Sequence, residues 1–111
     1  MKFFRSCRYA WRGIGIAWKQ NNFRLQVLAA AIVIIAGWLF SFNWIRWMMV
    51  VIVICLVLMA EMFNTAMERL LDVLEPRLHD EVRTIKDMLA GAVLVVVLGA
   101  IVIGLLMFLT I

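Results

Sequence analysis

Over residues 2–20, apolar side chains recur at three- and four-residue intervals: Phe3, Phe4, Cys7, Ala10, Trp11, Ile14, Ala17 and Trp18. Lys2, Arg5, Ser6, Arg8, Arg12 and Lys19 fall largely between them. This is the spacing of a two-faced helix. Aromatics opposite bases suit a helix lying in a membrane interface. Gln20-Asn21-Asn22 then breaks the pattern. It can end this helix and start the next, since asparagine is a good N-cap. Three apolar segments follow, at about 25–42, 44–66 and 88–111, with 27–40 uninterrupted and the last free of charge. Each approaches the ~20 residues that cross a hydrocarbon core.

The first connection, about 41–45, is so short that it forces an antiparallel helix hairpin. Trp38, Trp44 and Trp47 cluster around it, where an aromatic belt is expected. Leu70, Leu71, Val73 and Leu74 continue the second helix beyond the bilayer to about residue 75. Pro76 should end it there, because the residue before a proline is pushed out of helical geometry. Residues 77–83 read as a turn leading to the third helix. The hairpin carries one base, Arg46, whereas six lie in the first 24 residues and Arg69, Arg77, Arg83 and Lys86 follow the second segment. The positive-inside bias puts the N-terminus and 67–87 in the cytoplasm and the C-terminus outside. The expected fold is an all-α integral membrane protein. It forms a single membrane domain, 1–111, with three transmembrane helices and an N-terminal amphipathic surface helix.

Composition agrees with this pattern. Hydrophobic residues make up 67% of the chain and the mean hydropathy is +1.04, against about 45–50% apolar residues in a soluble domain. A soluble fold of this size could not hide so much apolar surface. The net charge is +4, and Lys2, Arg5, Arg8, Arg12, Lys19 and Arg24 have no acid among them. Such a start suits anionic headgroups. It can also suit nucleic acid, but beside so much membrane-bound chain no nucleic-acid partner is expected. Cys7 and Cys55 have neither metal-ligand spacing nor a disulfide framework and read as small apolar fillers. No signal peptide is expected, since the first apolar run ends in Ser41-Phe42-Asn43-Trp44 and not in a small-residue cleavage site.

The chemistry concentrates on the second helix. At about 100° per residue, Glu61, Asn64, Thr65, Glu68 and Asp72 share one side, at offsets of 3, 4, 7 and 11 from Glu61. Glu61 follows 14 apolar residues, 47–60, so it sits at or below the cytoplasmic edge of the bilayer. A charge near the centre of a membrane helix costs roughly 2.5–3.5 kcal/mol, less near the interface. A residue kept at that cost needs a partner or a role. Such a stripe can hydrogen-bond neighbouring helices, or it can be a site, with Glu61 as a general base. Lys86 and Asp87 lie at the same depth before the third segment. Alone, Lys86 reads as a snorkelling lysine; beside carboxylates it can bind phosphate. Carboxylates that hold Mg²⁺ together with bases that neutralise phosphate fit phosphoryl transfer. No Walker loop, kinase glycine loop or HRD motif is present, so a kinase here needs another architecture. His79, the lone histidine, reads by itself as a solvated loop residue.

The residues resemble the small bacterial membrane-embedded diacylglycerol kinase and undecaprenol kinase family, from about Phe4 to Phe108. The motifs are Tyr9-Ala-Trp-Arg-Gly13, Asn22-Phe-Arg24, Glu61-x-x-Asn64-Thr65-Ala66-x-Glu68-x-x-x-Asp72, His79 and Lys86-Asp87-Met-x-Ala-Gly-Ala-Val. The resemblance implies a homotrimer in the bacterial inner membrane. It implies Mg²⁺-dependent transfer of the ATP γ-phosphate to a membrane-lipid hydroxyl. By position, Glu61 corresponds to the general base, with Asn64 beside it, and Glu68 to the metal-ligating carboxylate. Lys86 corresponds to the phosphate-binding lysine, adjoined by Asp87, and Arg5 and Arg12 to phosphate-contacting bases. Lys2, Tyr9, Asp72 and His79 fall where the family contacts nucleotide. Gln20 departs from the pattern: many members have a metal-binding Glu there, and an amide oxygen can ligate Mg²⁺ but carries no charge. Gln26 stands where many relatives have His, and nothing functional is read from it.

Two acceptors fit, since diacylglycerol and undecaprenol each present one hydroxyl on an apolar body. Diacylglycerol is the first reading and undecaprenol the alternative. A non-catalytic oligomeric membrane subunit, its polar stripe lining helix contacts or a pore, is the competing class.

Overall fold

The computed structural model describes residues 2–77 and 79–110. Among them are four helices: α1 (Lys2–Ala17), α2 (Asn21–Leu39), α3 (Trp44–Leu74) and α4 (His79–Leu109), with no strand. The last three are long and apolar enough to cross a membrane. α3 is the centre. α4 packs along much of it, α2 packs on another part, and α1 touches it sparsely. Val50, Val57, Glu61 and Leu71 are the buried residues of α3. Their spacing puts all four on one face, so Glu61 occupies an inward, otherwise apolar stripe. Most large apolar side chains of α2, α3 and α4 instead point outward, including Leu28, Ile32, Ile52, Met59, Leu98 and Leu105. In a soluble protein such a surface would be an aggregation hazard; hydrocarbon is its natural solvent.

The hairpin end is built tightly. Ser41 adopts a left-handed conformation, φ 54°. Its N–H donates to the Trp38 carbonyl (3.2 Å) and the Phe42 N–H to that of Gly37 (3.0 Å). This pair of bonds is a Schellman cap, and it ends α2 at Leu39, three residues before the apolar run ends. Asn43 caps α3, its Oδ1 accepting from the Arg46 N–H at 2.9 Å. The Arg46 guanidinium then reaches the end of α4, donating to the Met107 carbonyl and to Thr110. A cation there complements the helix dipole. Phe42, Val50 and Met107 form the buried cluster behind this clamp.

The other end departs from the sequence expectations in three places. α1 closes at Ala17, and Gln20, not an asparagine, occupies the N-cap of α2 without a side-chain cap bond. Asn21 instead accepts from the Arg24 guanidinium. Glu75 keeps right-handed helical dihedrals (φ −55°, ψ −43°) although Pro76 follows. The helix stops because Pro76 has no N–H to donate; the Arg77 N–H bonds the Leu74 carbonyl instead (3.1 Å). Finally, α4 begins at His79, well before the apolar segment, so most of the expected 77–83 turn is helical. Asp80 and Glu81 in its first turn complement the helix dipole, and Val82 is buried. Lys86 and Asp87 therefore sit on a helix packed against α3.

Candidate active site

α3 has 31 residues, about 46 Å at 1.5 Å per residue. That exceeds a ~30 Å hydrocarbon core by several turns, so its polar stripe can run from lipid into water. Burial follows that direction. Glu61 is 7% exposed, Asn64 is half-buried, and Glu68 and Asp72 are exposed. Thr65 donates its hydroxyl back to the Glu61 carbonyl at 3.0 Å, so it is engaged with the backbone. The Asn64 Oδ1 is buried and has no hydrogen-bond partner among the described residues. An orphaned buried acceptor costs about 1–3 kcal/mol and is the kind of atom a bound cation or donor would satisfy.

α4 brings Lys86 to the wet end of the stripe. Its Nζ lies 2.6 Å from Asp72 Oδ1, and Glu68 and Glu75 are close enough to act on it electrostatically. Lys86 lies outside the apolar span that starts at Met88. The Asp72 hydrogen bond is the main cause that holds its ammonium above the ordinary lysine range. Lysine and the carboxylate stripe thus meet within a single chain. His79 Nδ1 lies 3.7 Å from Glu75 Oε1 at the start of α4, and Asp87 is exposed on the same helix.

The remaining sequence candidates are not gathered into this cluster. Lys2, Arg5, Tyr9 and Arg12 are exposed on α1. Their spacing puts them on one face, and the Arg12 guanidinium stands 5.6 Å from the centre of the Tyr9 ring. Ala17 and Phe23 are buried and Trp18 packs edge-on against Phe23, which ties the end of α1 to the bundle. Gln20 is half-buried at the α1–α2 junction.

Among the described residues no three His, Cys, Asp or Glu side chains gather to hold a metal by themselves. Mg²⁺ does not need that: it commonly keeps waters and uses one or two carboxylates plus substrate phosphates. The Glu68 carboxylate and the orphaned Asn64 oxygen, seven and three residues along from Glu61, are hard oxygen donors on one face and fit such an ion.

One polar residue on α2 was passed over in the sequence. Gln26 is half-buried and lines the apolar groove that α2, α3 and α4 form. The signal was available: like Glu61, Gln26 is a polar residue inside an apolar segment.

The family model for prokaryotic diacylglycerol kinase matches residues 8–108. The chain belongs to that family. It is 37% identical over 109 residues to the undecaprenol kinase of Bacillus subtilis (strain 168), covering 97% of this chain and 89% of that one. It is 36% identical to a diacylglycerol kinase of Synechocystis over 89% of this chain and 58% of the relative, so it spans little more than half of that protein. It is 28% identical to the diacylglycerol kinase of Escherichia coli (strain K12) over 91% of this chain and 84% of that one. The diacylglycerol kinase family match runs from the middle of α1 into the last turn of α4 and takes in the whole polar stripe of α3 together with Lys86, with Lys2 and Arg5 lying before it.

Proposed function

We propose that this chain is an ATP-dependent lipid kinase that phosphorylates the hydroxyl of a membrane lipid at the cytoplasmic edge of a bacterial membrane. The observation that carries the reading is the graded stripe on α3, from buried Glu61 to exposed Asp72, with Lys86 held at its wet end. A lipid hydroxyl arrives from the apolar side and a nucleotide from water, and this stripe spans both. Glu61 accepts the hydroxyl proton as the oxygen bonds the γ-phosphorus. The bond from that phosphorus to the bridging oxygen breaks, and ADP leaves. Lys86 offsets charge on the phosphates, and Arg5 and Arg12 do so from α1. Lys2, Tyr9, Asp72, His79 and Asp87 are the nucleotide-side residues. Glu68 and Asn64 would hold Mg²⁺, with Gln20 as a further, uncharged donor. The ion supplies charge neutralisation and orientation of the phosphates.

The same reading takes 1–111 as one membrane domain with the N-terminus cytoplasmic and the C-terminus outside. α1 lies on the membrane surface, its uncovered Phe3, Phe4 and Trp11 in the interface. The functional unit is a homotrimer, as the family resemblance implies. Diacylglycerol is the first acceptor. The 37% identity to an undecaprenol kinase favours undecaprenol as the specific second reading. The test is a side-by-side assay of both lipids with radiolabelled ATP, with and without Mg²⁺. Phosphorylated lipid is expected only with Mg²⁺, and Glu61→Gln should abolish it while assembly persists. Failure of a folded oligomer to bind ATP or label either lipid would overturn the kinase reading in favour of a non-catalytic subunit.

A further inference from the structure

Stability does not account for the pairing of Lys86 with Asp72. Asp72 Oδ1 accepts from Lys86 Nζ at 2.6 Å, but the aspartate side chain is 60% exposed. An ion pair so open to water adds little to folding. Nor is the lysine simply reaching for water, as a snorkelling side chain would. Its side chain is 33% exposed, the more covered of the two, and its ammonium turns to a carboxylate on the neighbouring helix.

The backbone beneath the pair is fixed. Leu71, next to Asp72, and Val82, one turn before Lys86 on α4, are both buried. These anchors hold α3 against α4 at this level, so carboxylate and lysine each rise from a rigid support. What is left free is the lysine's flexible four-carbon stem. Pairing with Asp72 selects, from its many conformers, one that keeps the ammonium at the wet end of the α3 stripe. An ammonium has three N–H donors, and the bond to Asp72 uses one of them. The others are left for phosphate oxygens. A phosphate that meets a lysine already aimed at it does not have to order that side chain. Immobilising one rotamer-rich side chain on binding costs about 3- to 10-fold in affinity.

We infer that Asp72 is a positioning residue for phosphoryl transfer: it acts on the nucleotide through Lys86, by holding the ammonium where the phosphates of ATP arrive. The inference rests on the lipid-kinase reading above. It adds to that reading a route, since the effect of the carboxylate then depends entirely on the lysine.

The test is a double-mutant cycle on the full-length protein in mixed micelles, with ATP, Mg²⁺ and whichever of the two lipids the wild-type chain phosphorylates. Calorimetric titration with ATP and Mg²⁺ gives the Kd beside the KM. Asp72→Ala should raise both by about 3- to 10-fold, with kcat and the KM for lipid within about twofold of wild type. Asp72→Glu keeps a carboxylate that can still reach the ammonium, and it should recover part of the loss. In a Lys86→Met background, Asp72→Ala should change neither the Kd nor the KM for ATP further. A further loss of the same size in that background overturns the inference, because the carboxylate then acts on the nucleotide directly or through the fold. So does an Asp72→Ala protein that binds ATP as tightly as wild type. Tighter binding overturns it too, since Asp72 would then compete with phosphate for the lysine. Absence of any recovery in Asp72→Glu counts against it in the same way. A folded wild-type chain that binds no ATP defeats the kinase reading itself, an outcome distinguishable from all of these.

Discussion

Gly37→Ala gives a sharp test of how the hairpin end is locked. A Cβ at residue 37 would lie 2.9 Å from Cδ2 and 3.2 Å from Cε2 of Phe42, and 3.2 Å from the Trp47 ring. Ordinary contact begins near 3.4 Å, so the Phe42 ring must retreat by about half an ångström before the overlap is relieved. It has little room. The ring is 8% exposed, lies 5.0 Å from Phe108 and 6.0 Å from Trp47 between centroids, and carries the Arg46 guanidinium at 5.7 Å. Its own backbone N–H is bonded to Gly37, so ring and helix cannot separate without breaking the cap. Overpacking of this kind costs about 1–3 kcal/mol, and replacing glycine inside a helix returns up to about 1 kcal/mol. The expected net loss is about 1 kcal/mol, a roughly fivefold shift in the unfolding equilibrium. Tryptophan fluorescence during denaturation in detergent micelles would measure it. The control is a double-mutant cycle: in a Phe42→Leu background the ring is gone, and Gly37→Ala should become neutral or stabilising. Equal effects in the two backgrounds, or stabilisation of the wild-type chain, would refute the contact.

Two further outcomes follow from the geometry. Ser41→Gly removes the cost of a left-handed non-glycine residue, about 1–3 kcal/mol, partly offset by glycine's greater unfolded-state entropy; it should raise the unfolding midpoint in the same micelle experiment, and a lower midpoint would argue against the cap. Lys86→Met should raise the KM for ATP at least tenfold with little change in the KM for lipid, and a change confined to the lipid KM would place Lys86 on the wrong side of the stripe.

Much of the architecture was legible because the bilayer simplifies the code: a chain with three long apolar runs and a four-residue connection has few ways to fold. The stripe on α3 was equally legible, since helical periodicity alone aligns Glu61, Asn64, Glu68 and Asp72. What escaped the sequence depends on contacts between helices. That Lys86 meets Asp72 required α4 to begin at His79, which the polar run 77–83 disguised as a turn. Burial of Val82 and the acidic first turn decided it, and only the packed bundle reveals that burial. Gln26 stood out as a polar residue in an apolar run, but that it lines the groove over α3 could not be read, because nothing in a linear pattern says which face of α2 meets which face of α3. Pro76 shows the limit of a local rule: it ended α3 as expected, but by withholding a hydrogen bond, with Glu75 still helical.

The unbroken course of α3 makes it a ruler. Glu61 and Asp72 ride the same rod, eleven residues apart, so about 16 Å of axial distance between the proposed base and the proposed nucleotide-side carboxylate is set by helix geometry. A thicker or thinner membrane cannot stretch that interval. It can only slide the rod, sinking or lifting Glu61 relative to the headgroups while Asp72 moves in step. Catalytic rate in vesicles of graded acyl-chain length should therefore peak at one thickness, with nucleotide affinity flat across the series.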